Sequence, residues 1–165
     1  MPSPSPAPGP PGADFQLERF LPYRLSVLAN LTSRALARLY SARFGLSVAE
    51  WRVIAHLARF APVSANDVAA RAAMDKVQVS RAIARLTQKE LVERATDAAD
   101  RRRSALRLTR RGQATHDAIV PLARALEAQL LAGLAAADLA RLDRLLSALL
   151  LRASDLDAHA ADAQR

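Results

Sequence analysis

The chain has 165 residues, about half of them apolar, with 24 Lys or Arg against 16 Asp or Glu and no cysteine. That length supports one ordinary hydrophobic core, and the missing thiols exclude disulfides, thiolate metal sites and cysteine-based redox sensing. The first residues lack the basic start and apolar stretch of a secretory signal, and no window approaches the roughly twenty apolar residues of a membrane span, so a cytoplasmic protein is expected.

The charge is not spread evenly. From Arg71 to Arg111 stand twelve Arg or Lys and five Asp or Glu, a net of +7 in a chain whose total is +8. A field concentrated on one segment, with near-neutral flanks, is the footprint of a surface that neutralises phosphates.

Residues 1–14 are rich in proline and are expected to form a disordered, partly extended tail, followed by a single domain over 15–154. In the first helix, 17–44, Leu25, Leu28, Thr32, Leu36 and Leu39 share one face, with Pro22 near the start and Gly45 at the end. Ser47-Val-Ala-Glu50 has capping-box spacing and opens a second helix to about Phe60. Pro62 and Val63 precede another cap, Ser64-Ala-Asn-Asp67, which opens a short third helix to Ala73. Asp75-Lys-Val-Gln78 opens a fourth. Its residues Val79, Ala82, Ile83 and Leu86 face inward, while Val77, Arg81, Ala84, Arg85 and Gln88 lie opposite, flanked by Gln78 and Ser80.

Leu91–Ala95 and Ala105–Thr109 alternate as strands and read as a hairpin around the charged tip Asp97-Ala-Ala-Asp-Arg-Arg-Arg103. Thr109 caps a fifth helix over 110–134, bent at Pro121. A sixth, over 138–153, carries Leu139, Leu142, Leu145, Leu146, Leu149 and Leu150, and residues 155–165 are expected to fray. The fold class is therefore mainly α with a small β-hairpin: a winged helix-turn-helix over 47–112, flanked by terminal helices. Those leucines exceed what a small domain needs for itself, so a second copy of the chain is expected to cover them in a homodimer.

An α-helix fits the major groove of duplex DNA, where Gln pairs with adenine, Arg with guanine and an apolar side chain with the thymine methyl. Gln78, Ser80, Arg81 and Val77 are placed for such reading. Arg85, Arg71, Lys89 and Ser64 suit phosphates, which fix register without reading sequence. Among the tip residues Arg102 suits a minor groove, with Arg101 and Arg103 on phosphates. Taken singly, a polar helix face is a solvated face and three loop arginines are a charge cluster. Their order along the chain is the specific signal.

Met74-Asp-Lys-Val-Gln-Val-Ser-Arg-Ala-Ile-Ala-Arg-Leu-Thr-Gln-Lys-Glu-Leu-Val92, Asp97-Ala-Ala-Asp-Arg-Arg-Arg-Ser-Ala-Leu-Arg-Leu-Thr109 and Arg111-Gly112 resemble the multiple-antibiotic-resistance-regulator (MarR) family of bacterial transcription factors, over residues 20–152. The reading helix matches at Asp75, Lys76, Val79, Ser80 and Arg81. The wing matches at Asp97, Asp100, Arg101 and Arg102. The resemblance implies that Asp100 braces the wing while Arg102 enters the minor groove, and that the first, fifth and sixth helices build a dimer. Val77 and Gln78 stand where small hydroxyl residues are common, and Ala98 replaces a frequent proline; the first departure bears on operator choice, the second on the wing turn.

Members of this family commonly release DNA when a small anionic or aromatic molecule binds between the dimer helices and the reading module. Tyr23, Tyr40, Trp51, Arg52 and His56 have suitable chemistry near that crevice, although Trp51 also reads as core and His56 as an ordinary helix histidine. Phe20-Leu-Pro-Tyr-Arg24 and Glu50-Trp-Arg52 resemble a branch linked to aromatic acid breakdown. Catalysis is not expected. His56, His116 and His159 lie far apart in sequence, and no phosphate loop, nucleophile elbow or metal-binding His pair occurs, so neither cofactor nor metal is implied. The expected function is a homodimeric repressor on a pseudo-palindromic duplex, its reading helices about 34 Å apart, released by an aromatic or anionic ligand or its coenzyme A thioester. An architectural DNA-binding protein without ligand response is the alternative, and a helical dimerisation adaptor a further one.

Overall fold

The computed structural model describes residues 15–96 and 104–163. They fall into two compact units, Met1–Leu122 and Ala123–Arg165. The tail 1–14 and the wing tip 97–103 lie outside the described residues.

The expected first helix divides in two. Leu17–Arg19 form a short 3₁₀ turn, Phe20 is extended, and α1 (Leu21–Phe44) follows. Pro22 falls in its first turn, where a missing N–H removes no helical bond. Gly45 ends α1 at φ 63°, donating its N–H to Ser41 O at 2.8 Å, a left-handed conformation that glycine adopts without steric cost.

α2 (Val48–Phe60) opens on the predicted capping box. The Glu50 N–H donates to Ser47 Oγ at 3.2 Å, and the Ser47 N–H donates to Glu50 Oε2 at 2.7 Å. Val53, Ile54 and Leu57 point inward and are 1% exposed or less. α3 (Ala65–Arg71) repeats the device with Ser64 and Asp67. It stops short of Ala73 because that residue turns left-handed, φ 47°, and the Met74 N–H closes on Ala69 O at 3.0 Å.

α4 (Lys76–Gln88) buries Val79, Ala82, Ile83 and Leu86, as its periodicity predicts. β1 (Val92–Thr96) and β2 (Ser104–Leu108) pair antiparallel, Val92 opposite Leu108. Both strands are displaced by one residue from the expected spans. Leu91 gives its N–H to Leu86 O at 2.9 Å, ending α4, and the Thr109 hydroxyl donates to Glu90 O at 2.7 Å. Val63 adds a bridge to the hairpin, its N–H on Leu106 O and its carbonyl accepting from Leu106.

Thr109 Oγ1 accepts from the Gly112 N–H at 3.0 Å and so caps α5 (Arg110–Leu130), which contains Pro121. In the unit Met1–Leu122 the core joins Tyr40, Leu46, the inward residues of α2 to α4, Val92, Leu106 and Ile119. Each such side chain contributes about 2 kcal/mol through removal from water.

In the second unit α5 ends at Leu130, not Leu134, since Gly133 takes φ 84° in the turn that follows. α6 (Ala136–Ala163) continues well past Ala153. The expectation of a frayed segment from residue 155 is thus corrected: Ala153, Ala158 and Ala160 are strong helix formers, and nothing in the sequence there breaks the ladder.

One charged group lies inside the first unit. Glu50 is 2% exposed, and its Oε1 accepts from Lys89 Nζ at 2.7 Å; the same ammonium donates to Gly45 O, also at 2.7 Å. Burial pushes the Glu50 carboxyl up, but the hydrogen bonds from Lys89 and Ser47 outweigh it and hold the group below the ordinary glutamate range.

Two predictions follow from packing and charge. A methyl added at Gly112 would sit 2.0 Å from the Leu91 carbonyl oxygen, so Gly112→Ala is expected to lower stability in urea by about 3 kcal/mol; a loss below about 1 kcal/mol would show that this approach yields easily. Because the folded Glu50 pKa is lowered, its stabilisation is complete above the ordinary glutamate value and disappears as pH falls through the folded one. Thermal melts of the parent should therefore drop more steeply between about pH 5 and about pH 3 than those of Glu50→Gln.

Candidate nucleic-acid interface

The reading helix is set at its start by Asp75, whose Oδ1 accepts the backbone N–H groups of Val77 at 2.9 Å and Gln78 at 3.0 Å. Capping by a carboxylate satisfies two free donors and fixes the first turn. With the inner residues buried, helical geometry turns Lys76, Val77, Gln78, Ser80, Arg81, Ala84, Arg85 and Gln88 outward, and all of them are exposed. Val77 is 56% exposed, an apolar side chain on a polar face and the right chemistry to meet a thymine methyl.

Beside this face runs an open groove of about 500 Å³, lined by Ser47, Val48 and Ala49 at the start of α2 and by Asp75, Val77, Gln78, Arg81, Ala82 and Arg85. The sequence pointed to Val77, Gln78, Arg81 and Arg85 as the outward residues of this groove, with Asp75 expected as a cap and Ala82 facing inward. It did not point to the α2 residues, whose only signal was the Ser47 cap. Among the described residues no carboxylate pairs with Arg81 or Arg85. Asp75, which shares the groove, accepts the Val77 and Gln78 N–H groups, while Glu93 pairs with Arg107 at 2.6 Å and Glu90 with Arg111 at 3.5 Å. The outward guanidinium groups are therefore left for an anionic partner.

The residues expected on phosphates divide. Arg71 is exposed, its guanidinium 4.9 Å from the centre of the Phe60 ring, which also meets Arg59 at 5.4 Å. Sequence reading missed Phe60 as the surface that steadies Arg71. Ser64 spends its hydroxyl on Asp67, donating to Oδ2 at 2.7 Å and accepting from the backbone N–H at 3.1 Å. The Lys89 ammonium donates to Glu50 and Gly45, since a buried carboxylate must have a cation beside it, while the side chain stays 35% exposed. The wing residues Asp100, Arg101, Arg102 and Arg103 lie outside the described residues.

Of the residues expected near a ligand crevice, Tyr40 and Trp51 come together, ring centres 5.8 Å apart. Tyr40 is buried, which raises its pKa, with a smaller opposing effect from Arg52. Arg52 donates to Ser33 Oγ at 3.3 Å and joins α2 to α1. His56 lies apart from the Trp51 stack, its ring 5.4 Å from Phe60, and Tyr23 sits exposed at the start of α1. His116 was overlooked: it stacks on Trp51 at 5.8 Å with the rings 19° from parallel. Its signal was invisible locally, since 65 positions separate the pair in sequence.

Among the described residues no group of His, Asp or Glu is placed to hold a metal ion, and no helix is long and apolar enough to cross a membrane. A search of curated proteins finds no significant match. The sequence profile of the MarR family matches residues 44–103, the segment that holds α2, α3, α4 and the first strand. A MarR/EmrR-family transcriptional regulator from Acinetobacter sp. ADP1 is 27% identical, over 86% of this chain and 99% of its own, with a TM-score of 0.79. BpsR of Bordetella bronchiseptica, whose DNA binding is regulated by 6-hydroxynicotinic acid, is 24% identical over 86% of this chain and 97% of its own, with a TM-score of 0.72. CouR of Rhodococcus jostii RHA1, solved bound to p-coumaroyl-CoA, is 21% identical over 81% and 94%, with a TM-score of 0.72. The last two share the fold. Joined to the capped α4, whose outward Arg81 and Arg85 have no carboxylate partner among the described residues, and to the two-stranded hairpin, the profile match over residues 44–103 and the structural likeness support a place in the MarR family of transcriptional regulators.

Proposed function

We propose that the protein is a homodimeric, sequence-specific DNA-binding repressor whose α4 enters the major groove. The observation that carries this is the division of α4 into a buried apolar face and an exposed face with Val77, Gln78, Ser80, Arg81 and Arg85, whose arginines lack partners among the described residues. Gln78 and Arg81 can read base edges, while Arg85 and Arg71 suit phosphates. Arg102 is assigned to the minor groove by family resemblance, and Arg101 and Arg103 to phosphates by their charge and place in the wing.

Dimerisation rests on apolar surface that neither unit covers by itself. In α1, Leu21, Leu25, Leu28 and Leu31 are between 38% and 51% exposed, and in α6, Leu142, Leu145, Leu146 and Leu150 are between 38% and 72% exposed. Apolar area on that scale favours burial against a second copy. Release by a small aromatic or anionic ligand, or its coenzyme A thioester, is supported by the aromatic cluster of Tyr40, Trp51 and His116 beside Arg52, and by the ligands reported for BpsR and CouR.

Footprinting on the DNA flanking the protein's own gene should reveal a pseudo-palindrome, with protection lost when an effective aromatic acid or thioester is added. Protection that ignores sequence, or that no such compound relieves, would favour an architectural role. Arg81→Ala is expected to cost about 1 to 3 kcal/mol and to relax preference at one base position, whereas Arg85→Ala and Arg102→Ala should weaken all duplexes alike and shallow the salt dependence by about one unit each. Leu145→Glu combined with Leu150→Glu should sediment as a folded monomer; an unchanged dimer would remove α6 from the interface.

A further inference from the structure

The capping of α2, the end of α1 and the end of the reading helix meet at one point, the Lys89 ammonium. We propose that Lys89 is a positioning residue, which ties the C-terminal end of α4 to Glu50 and Gly45 and thereby sets the pose in which the outer face of α4 meets DNA. The inference rests on the DNA-reading role proposed for α4.

Packing holds that pose without fixing it through directional contacts. Val79, Ala82, Ile83 and Leu86 hold the inner face of α4 through apolar contacts, which are not directional. Asp75 holds only the first turn. Lys89 is the residue that caps the far end, and its contacts are directional: Nζ lies 2.7 Å from Glu50 Oε1 and 2.7 Å from Gly45 O. Gly45 closes α1 in a left-handed conformation, so its carbonyl belongs to the electronegative end of that helix, where a cation is favoured. Glu50 is fully committed, its other oxygen accepting the Ser47 N–H at 2.7 Å. The Glu50 side chain is 3% exposed, so it cannot itself touch a duplex, while that of Lys89 is 35% exposed and has two of its three donors engaged. The Lys89 ammonium therefore links the end of α1 directly to the end of the reading helix.

The test uses the full chain with Lys89→Met, Glu50→Gln and the double variant, titrated against the footprinted duplex over a range of salt, with amide hydrogen exchange measured in the absence of DNA. Lys89→Met should weaken binding about tenfold and Glu50→Gln about threefold, within the range expected for residues that modulate coupling. The double variant should be no worse than Lys89→Met, since both remove one contact. The salt dependence should match the parent. Exchange should accelerate at residues 86–91 and 45–50 and stay unchanged in α6. A shallower salt dependence in Lys89→Met, by about 0.9 for one lost phosphate, would make Lys89 a direct DNA contact and overturn the proposal. So would undiminished binding by Glu50→Gln, because Glu50 is the carboxylate through which Lys89 is held. If Lys89→Met does not fold, Glu50→Gln carries both measurements. A parent that binds no duplex defeats the DNA reading, whereas unaltered exchange defeats the clamp independently.

Discussion

A carboxylate can lie inside an apolar core only if its charge is met there, and at Glu50 that requirement organises the first unit. The residue serves as the third position of the α2 capping box and as the counter-ion of Lys89, using one oxygen for each. It is the one charged residue buried among the described residues. Unpaired, such a group would cost several kcal/mol. Paired, it brings the start of α2 and the Gly45 carbonyl at the end of α1 to within hydrogen-bonding distance of the Lys89 ammonium, which caps α4.

The same requirement shapes the surface. With Lys89 meeting Glu50, and the exposed Arg107 and Arg111 meeting Glu93 and Glu90, the basic segment divides into cations with a carboxylate partner and cations without one among the described residues. Arg81 and Arg85 belong to the second class. Their direction is a consequence of burying Val79, Ile83 and Leu86, since a helix that commits one face to the core has no choice about the other. The proposed reading face is in this sense the remainder left by packing, sharpened by a capped first turn that holds Val77 and Gln78 in a defined orientation.

The aromatic cluster shows a different kind of construction. Tyr40 comes from α1, Trp51 from α2 and His116 from α5, and the indole lies between the other two rings. Its members also serve the core: Tyr40 is 1% exposed. A ligand acting near these rings would perturb residues whose packing joins the helices, which is the physical link between the proposed sensing and reading roles. The exposed leucines of α1 and α6 are separate from this, being apolar surface on helices that contribute few residues to the core.

What the sequence determined by itself is local. The caps at Ser47, Ser64, Asp75 and Thr109 depend on hydrogen bonds spanning two or three residues, and the inner face of α4 depends on a periodicity of three and four, so both were legible before any fold was known. Element ends were less so. The strands moved by one residue because Leu91 and Thr109 were claimed by the helices beside them, and α6 ran on because alanine propagates a helix without leaving a signature of its own. Only the tertiary structure decided that Lys89 meets Glu50, that Phe60 underlies Arg71 and that His116 stacks on Trp51. Those contacts join residues far apart in the chain, and their geometry depends on how the helices pack, a property that residue spacing does not encode.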